Sequence, residues 1–408
     1  MNNSVIKILL RIGSYVLVAA LAVGATLALC QPPAQQPSNQ NSLETNPGEA
    51  TPEQSGRFTK LEELAVLIDE KYIDQQDYAL MEDMAAYAFV DALPDQWSYY
   101  VSADAYNDFS DDRANQYVGI GITIVQREDN TGFDIVLVEP DSPAQQAGIL
   151  PGDILVGAEG QNCAQIGMDE TRNIVRGEEG TDVTVDIKRG EETLTFTITR
   201  KAIQVKAATG KMLEGNIGYV LIANFHENAC NQTIEATEAL IEQGATAMIY
   251  DVRNNGGGFK SELVALLDYL LPEGPLFRSM DYNNNEVVDY SKEDCLEIPM
   301  VVMVNGNSYS AAEFFAAALD EYDWATVVGD PTSGKGYFQN TYQLSDGSAI
   351  VLSVGKYFTP NGISLADEGG IVPEILVEVD DQTAAMIYAG ALEPADDPQL
   401  VAAMEALK

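Results

Sequence analysis

The sequence holds a single histidine, His226, among 408 residues. One imidazole cannot build a multi-histidine metal site, and it removes most acid–base schemes that rest on imidazole. Cysteine is nearly as scarce, and Cys30, Cys163, Cys230 and Cys295 are too few and too dispersed for a disulfide framework or a zinc site. One bridge between Cys163 and Cys295 stays open outside the cytoplasm, because spacing does not decide it. Positive charge is short as well: 22 Lys and Arg stand against 63 Asp and Glu, for a formal net charge of -41. The acids are scattered along the chain, so the main body has no basic face to displace counterions. Nucleic acid and anionic lipid are thereby excluded as its partners, and the acidity reads as a highly soluble surface.

Hydrophobic residues make up 46% of the chain, enough for two or three globular units with a sizeable core. Lys7 and Arg11 precede an uncharged apolar run from Ile12 to Cys30, about the length that spans a bilayer as a helix. With the basic flank inside, residues 1–30 read as a signal anchor. The expectation is a single-pass cell-membrane protein with an extracytoplasmic catalytic domain. A cleaved signal peptide, giving a secreted protein, and a lipid anchor at Cys30 after Leu27-Ala-Leu29 are the alternatives. Residues 31–57 are rich in Pro, Gln, Asn, Ser and Thr and read as a disordered linker.

From residue 58 to 115 the pattern is helical, with Leu61, Leu64, Ala65 and Ile68, then Met81, Met84, Ala85 and Ala88, at three- and four-residue intervals. Trp97-Ser-Tyr-Tyr100 and the acidic stretch to Asp112 read as a connector. Residues 116–203 change to short β-rich runs, at Gly121 to Val125, Phe133 to Val138, Val183 to Ile187 and Leu194 to Ile198. Within them, Asp141-Ser-Pro-Ala-Gln-Gln-Ala-Gly148 and Leu150-Pro-Gly-Asp-Ile-Leu155 join a capped helix to a tight turn and a strand. Together with Tyr117-Val-Gly-Ile-Gly121 this resembles a PDZ domain. Its peptide-binding residues would be Gly119, Ile120, Gly121 and Ile122, whose backbone receives a terminal carboxylate while the next strand edge pairs with the peptide. A Gly-x-Gly alone is only a turn. Between 204 and 380 strands alternate with helical patterns, which predicts an α/β domain with a largely parallel sheet, and 381–408 close the chain as a helical segment.

Three segments fall beyond the strand ends, where active sites of such sheets lie. Met300-Val-Val-Met-Val304 runs into Asn305-Gly-Asn-Ser-Tyr-Ser310 and at once into the helical run Ala311 to Leu319, so a serine stands at a helix amino terminus that favours a developing anion. Taken alone, Ser308 or Ser310 is an N-cap. In Val328-Gly-Asp-Pro-Thr-Ser-Gly-Lys335-Gly-Tyr-Phe-Gln339 a lone lysine sits between glycines; desolvated there, it would serve as a general base, with Gln339 placed to aim it. The segment lacks the spacing of a phosphate loop. The third, Asp251-Val-Arg-Asn-Asn-Gly-Gly-Gly258, follows a strand and can aim backbone N–H groups at an oxyanion. By itself it is equally a flexible strand–helix connection.

In this order, behind a PDZ-like unit, the segments resemble the carboxyl-terminal processing peptidases, or tail-specific proteases, over roughly residues 60–408. The resemblance extends to Tyr357-Phe-Thr-Pro-Asn-Gly362, Gly370-Ile-Val-Pro-Glu374 and the helix opened by Asp397-Pro-Gln-Leu400. Matching Ser-x-Ser-x-x-Glu to Ser308, Ser310 and Glu313 implies Ser310 as nucleophile, Lys335, 25 positions on, as base and Gln339 as orienting residue. It implies an oxyanion hole from the N–H of Ala311 and the Gly256–Gly257 turn, and no metal or cofactor. The fold implied is a ClpP/crotonase-like α/β protease core with an inserted β-rich PDZ domain and an N-terminal helical segment. Tyr309, Ala312 and Asn255 depart from the family's usual residues without removing a catalytic atom.

The function implied is a serine endopeptidase acting on extracytoplasmic proteins that it recognises by their free C-termini. A membrane contact through the anchor is expected, and a homo-oligomer or a regulatory partner is left open. The competing readings are a non-catalytic PDZ scaffold and a Ser-His-Asp hydrolase using His226, a residue that reads instead as a surface position where a helix starts.

Overall fold

The computed structural model describes residues 58–127, 129–388 and 392–408. The first described elements are helices Thr59–Lys71 and Tyr78–Asp91. Asp77 starts the second by accepting the Leu80 N–H at 3.1 Å, which satisfies one of the amide donors a helix leaves open at its start. The predicted spacing gives helices, but Leu61, Leu64 and Leu67 remain exposed and the first helix buries no residue.

The segment read as a connector is partly a strand. Tyr99–Val101 pairs antiparallel with Ala349–Phe358, with Tyr99 opposite Val351. Helix Ala103–Arg113 follows, and then Gln116–Gly119, which pairs with Lys201–Gln204 to form a two-stranded stem. Asn115 fastens that stem to the core. Its carbonyl accepts the Val205 N–H at 2.7 Å, its amide donates to the Glu227 carbonyl at 2.9 Å, and its side-chain oxygen accepts from Asn224 at 2.8 Å. Asparagine tolerates the left-handed φ of 50° found here.

Beyond the stem lies an antiparallel sheet in the order Ile122–Gln126, Phe133–Val138, Ile154–Ala158, Asp182–Arg189 and Glu192–Thr199. Period-two alternation turns Phe133, Ile135, Leu155, Val183, Val185 and Ile187 into one buried cluster. Ser142 caps the short helix Pro143–Ala147, which ends at Gly148 in the left-handed region. Ile122–Gln126 is an open sheet edge.

The second globular unit is built on a six-stranded sheet ordered Ala208–Leu213, Ile217–Ile222, Ala247–Asp251, Met300–Val304, Ala325–Gly329 and Ile375–Leu376. The first pair is antiparallel and the rest are parallel. Every residue of Ala247–Asp251 and of Met300–Val304 is buried, because both faces of the sheet are covered. Val220, Tyr250, Val302 and Val304 meet Leu263 and Leu266 of helix Lys260–Leu270 and Phe314 and Phe315 of helix Ala311–Glu321. On the opposite face Ile249, Val301 and Met303 meet Leu400 and Ala403 of helix Pro398–Ala406.

A second, antiparallel sheet leans on this unit: Tyr99–Val101, Ala349–Phe358, Pro275–Asp281 and Glu286–Tyr290, with Tyr337–Gln343 also paired to Ala349–Phe358. The sequence did not announce it, since Tyr-Phe-Gln-Asn-Thr-Tyr-Gln has little hydrophobic alternation.

One expectation is corrected and one open question is answered. Among the described residues no helix is long and apolar enough to cross a membrane, which overturns the single-pass assignment; its run from Ile12 to Cys30, and the linker 31–57, lie outside the described residues. Cys163 and Cys295 are both free thiols, the former buried in the core of the antiparallel domain and the latter in a loop of the other unit, so they form no bridge.

Candidate active site

The strands Ala247–Asp251 and Met300–Val304 are parallel neighbours, so the loops that leave their carboxyl ends emerge side by side. Several hydrogen bonds stitch them together. Ser308 Oγ donates to the Val252 carbonyl at 2.7 Å, the Asn254 N–H donates to Asn305 Oδ1 at 2.9 Å, and the Tyr309 N–H donates to the Asn255 carbonyl at 3.2 Å. Ser308 is thus a brace between loops and not a cap.

Ser310 is the N-cap of helix Ala311–Glu321, and its backbone lies at φ 57°, ψ -128°. A serine held there is strained by roughly 1–3 kcal/mol, a cost borne only where the surroundings over-determine the conformation. The surroundings are Glu313 and Gly257. Glu313 Oε2 accepts the Ser310 N–H at 3.0 Å. A Cβ on Gly257 would lie 2.8 Å from Ser310 Cβ and 3.0 Å from the Ala311 nitrogen, so only glycine lets the two loops approach this closely. Ser310 is fully buried, and its Oγ has no hydrogen-bond partner.

Lys335 arrives on the loop before Tyr337–Gln343, and Glu313 holds that loop too. Its Oε2 accepts the Lys335 N–H at 2.9 Å, and its Oε1 accepts the Gly334 N–H and the Thr332 hydroxyl, both at 2.6 Å. One buried carboxylate therefore fixes the serine turn and the lysine loop to each other. Four donors favour its ionised form, yet burial is the larger effect and raises its pKa. The Lys335 ammonium lies 4.6 Å from the centre of the Trp97 ring and 5.7 Å from that of Tyr309. Burial, helped by the nearby Arg113 charge, pushes its pKa down to about 7, against the opposing pull of Glu313 and Asp95.

Gln339 is buried, and its amide donates to Ser353 Oγ at 3.0 Å and to the Tyr337 carbonyl at 3.2 Å. Ser353 is held in turn, its N–H donating to Ser98 Oγ at 2.9 Å. Asp95 accepts both the Trp97 N–H, at 3.0 Å, and the Ser98 hydroxyl. The loop from Asp95 to Ser98 thereby seats the Trp97 indole over Lys335, and the same loop walls a cavity of about 910 Å³ with Met280, Tyr282 and Tyr337. Sequence reasoning passed over this loop. Its one available signal was the Asp-x-x-Ser turn around an otherwise unexplained tryptophan.

The residues expected to form an oxyanion hole stand beside Ser310 but are not equivalent. The Gly257 N–H donates to Asn255 Oδ1 at 2.8 Å, while the Asn255 amide donates to the Ile222 carbonyl at 2.8 Å. In this arrangement Asn255 occupies the Gly257 donor, a role the sequence did not suggest. A Cβ on Gly256 would lie 2.6 Å from the Tyr309 hydroxyl, so Tyr309 covers that glycine.

His226 is buried, which corrects the surface assignment. Its Nδ1 lies 2.9 Å from the Asp112 carbonyl, and it is not bonded to Ser310 Oγ.

Below the site, Arg253 forks onto Asp251 through Nε, at 3.0 Å, and Nη2, at 2.6 Å. Its guanidinium also reaches Asp397, at 2.8 Å, and Gln399, at 3.0 Å. This buried network locks the closing helix to the strand that delivers the glycine loop.

The residues expected to bind peptide do not join this cluster. Ile120 is buried in the antiparallel domain, where its carbonyl accepts the Ala144 N–H at 2.8 Å. Gly121, at φ 83°, packs so closely on Ser142 that a Cβ would lie 2.3 Å from the serine's own. Gly119 ends the stem strand and Ile122 begins the open edge.

Residues 216–377 match peptidase family S41, and residues 135–189 match the PDZ domain. The carboxy-terminal processing protease CtpA of Bacillus subtilis is 29% identical over 330 residues, which cover 80% of this chain and 70% of that protein. The carboxyl-terminal-processing protease of Synechocystis sp. is 28% identical over 343 residues, or 81% of this chain and 78% of that one. Among solved structures, the photosystem II D1 C-terminal processing protease aligns with a TM-score of 0.46 at 24% identity, covering 79% of this chain and 87% of the other.

Proposed function

Because this chain belongs to peptidase family S41 and carries a PDZ domain, we propose that it is a serine endopeptidase of the carboxyl-terminal processing type working through a Ser310–Lys335 dyad. The observation that carries the dyad is the shared clamp: Glu313 accepts the backbone N–H of Ser310 at 3.0 Å and of Lys335 at 2.9 Å, beside an ammonium whose pKa lies at about 7.

Neutral Lys335 takes the Ser310 proton as Oγ attacks a peptide carbonyl. The lysine then gives that proton to the leaving amine. Water hydrolyses the acyl-enzyme, with the lysine again as base. The oxyanion is received by the N–H of Ala311, at the amino end of an 11-residue helix whose dipole favours negative charge, and by the Gly256–Gly257 turn once the Gly257 N–H is released from Asn255. Gln339, anchored on Ser353, aims the lysine. Ser310 and Lys335 are at most 1% exposed, so substrate entry requires Trp97 or Tyr309 to move aside.

On this reading the free carboxyl end of a protein substrate binds at Gly119, Ile120, Gly121 and Ile122, and its next residues pair with the open edge Ile122–Gln126. The parallel sheet with its helices Ala229–Glu242, Lys260–Leu270 and Ala311–Glu321 supports assigning the core to the ClpP/crotonase-like class. The unit boundaries we adopt are 116–203 for the PDZ domain and 204–380 for the protease core.

The test is proteolysis of an unfolded protein by Ser310→Ala and Lys335→Ala, each checked for folding by circular dichroism. Loss of cleavage in both is expected, and full activity in either overturns the dyad.

A further inference from the structure

Arg113 ends helix Ala103–Arg113 at 6% exposure; none of its three guanidinium nitrogens makes a hydrogen bond of full geometry, and the side chain that acts on it as a hydrogen-bonding neighbour is the neutral Tyr99. Arginine keeps its proton even when buried, so a full positive charge is held out of water without a carboxylate. That is costly in general, and a ring contact offsets only part of the cost. The ring is Phe109, 4.3 Å below the guanidinium; Phe259, next to the glycine loop, lies at 5.9 Å. The other groups acting on it are Tyr99, Tyr106 and Asp112. Asp112 acts on it through charge but exposes its carboxylate and makes no bond to it.

The unpaired charge belongs to a larger pattern. The Tyr309 hydroxyl is likewise buried without a hydrogen-bond partner, and the Tyr99 hydroxyl faces the Arg113 guanidinium. Tyr309 touches Lys335, Tyr99 acts on both Tyr309 and Arg113, and the Arg113 charge acts on Lys335. A buried guanidinium whose hydrogen-bonding capacity is not filled by protein groups, beside a buried unmet hydroxyl, marks a place where an anion would be received. The only protein charge able to satisfy such a fork is a carboxylate.

We propose that Arg113 is the carboxylate receptor of the active-site cleft, binding an anionic group of the substrate close to Ser310 once the site opens, with Tyr99 and Tyr309 as neutral donors beside it. This rests on the peptidase reading and adds a charge preference to it. The carboxylate comes from an Asp or Glu side chain near the scissile bond or from a free chain end, and the experiment separates the two.

Binding is measured on the Ser310→Ala protein, which keeps the test independent of turnover. Peptides are paired Glu against Gln at each position around the site cleaved in a longer substrate, and free acid against amide at the end. One acidic member is expected to bind about 10- to 100-fold more tightly than its neutral partner, the range of a charge-assisted hydrogen bond. Adding Arg113→Met should bring that ratio close to one, whereas Arg113→Lys should keep part of it. A Glu-dependent ratio assigns a side chain, and an amide-dependent ratio that Arg113→Met abolishes assigns the chain end. Equal binding of every pair, or a ratio that survives Arg113→Met, overturns the proposal. Should Arg113→Met fail to fold, Arg113→Lys and the Ser310→Ala ratios still decide it. A purely electrostatic effect on Lys335 would leave the ratios untouched. Failure of the peptidase reading shows separately, as a wild-type protein that cuts nothing.

Discussion

Glu313 Oε2 accepts the backbone N–H of Lys335 at 2.9 Å, across 22 positions of sequence. Because the same oxygen holds Ser310, the approach of the two loops that carry the proposed dyad is set by one carboxylate and not by either loop alone. Glu313→Gln replaces one acceptor oxygen with a donor that faces two further donors. A stability loss of about 3 kcal/mol or more is expected from two charge-assisted bonds, with kcat falling at least 100-fold and KM little changed. Chemical denaturation and peptide kinetics check both, and unchanged kcat would remove the clamp from the mechanism.

Lys335 gives two pH signatures of opposite use. Its neutral form is the base, so kcat/KM should rise through about pH 7 and level off above it. For stability, the folded pKa lies below the unfolded one, so the unfolded chain binds more protons between about 7 and 10.5 and stability rises with pH across that window. Lys335→Met removes this penalty. Its gain in stability should be greatest at or below pH 7 and shrink by roughly 1.4 kcal/mol per pH unit towards 10, a trend that thermal melts across that range would follow. A gain that does not vary with pH contradicts a depressed lysine.

His226→Ala should retain most activity, because the ring is engaged by the Asp112 carbonyl and not by Ser310 Oγ. A thousandfold loss in a folded variant would favour an imidazole base.

Amidating the C-terminus of a long substrate should raise KM several-fold with little effect on kcat, since the Gly119–Ile122 turn and the dyad occupy different cores. Equal cleavage of amidated and free-ended substrates would remove carboxyl-end capture from the PDZ domain and leave the dyad standing.

Asp397→Ala should destabilise the protein by about 3–5 kcal/mol, the cost of leaving a buried charge short of its partner. Arg253 then loses the 2.8 Å contact that ties the closing helix to strand Ala247–Asp251. Equilibrium denaturation measures the loss, and a change under 1 kcal/mol would place that contact among the weak ones.

What the sequence determined was local. The uninterrupted apolar run Met300–Val304 read as a strand of the parallel sheet, and it appears with those bounds. The alternation in Phe133–Val138 likewise became that strand, and Ser310 directly before a helical run had to be its N-cap. What only the tertiary structure decided were relations between segments far apart in the chain. The seat of Trp97 over Lys335 depends on a polar strand pairing that begins at Tyr99 opposite Val351. The capture of the Gly257 N–H by Asn255 depends on a turn whose shape no spacing encodes. Arg113 is an ordinary charged residue at a helix end until helix Ala103–Arg113 is laid against Phe259. Periodicity reports which side of an element avoids water; which buried polar group meets which is fixed only when the elements pack, because hydrogen bonds and charges are satisfied in three dimensions and leave no period in the chain.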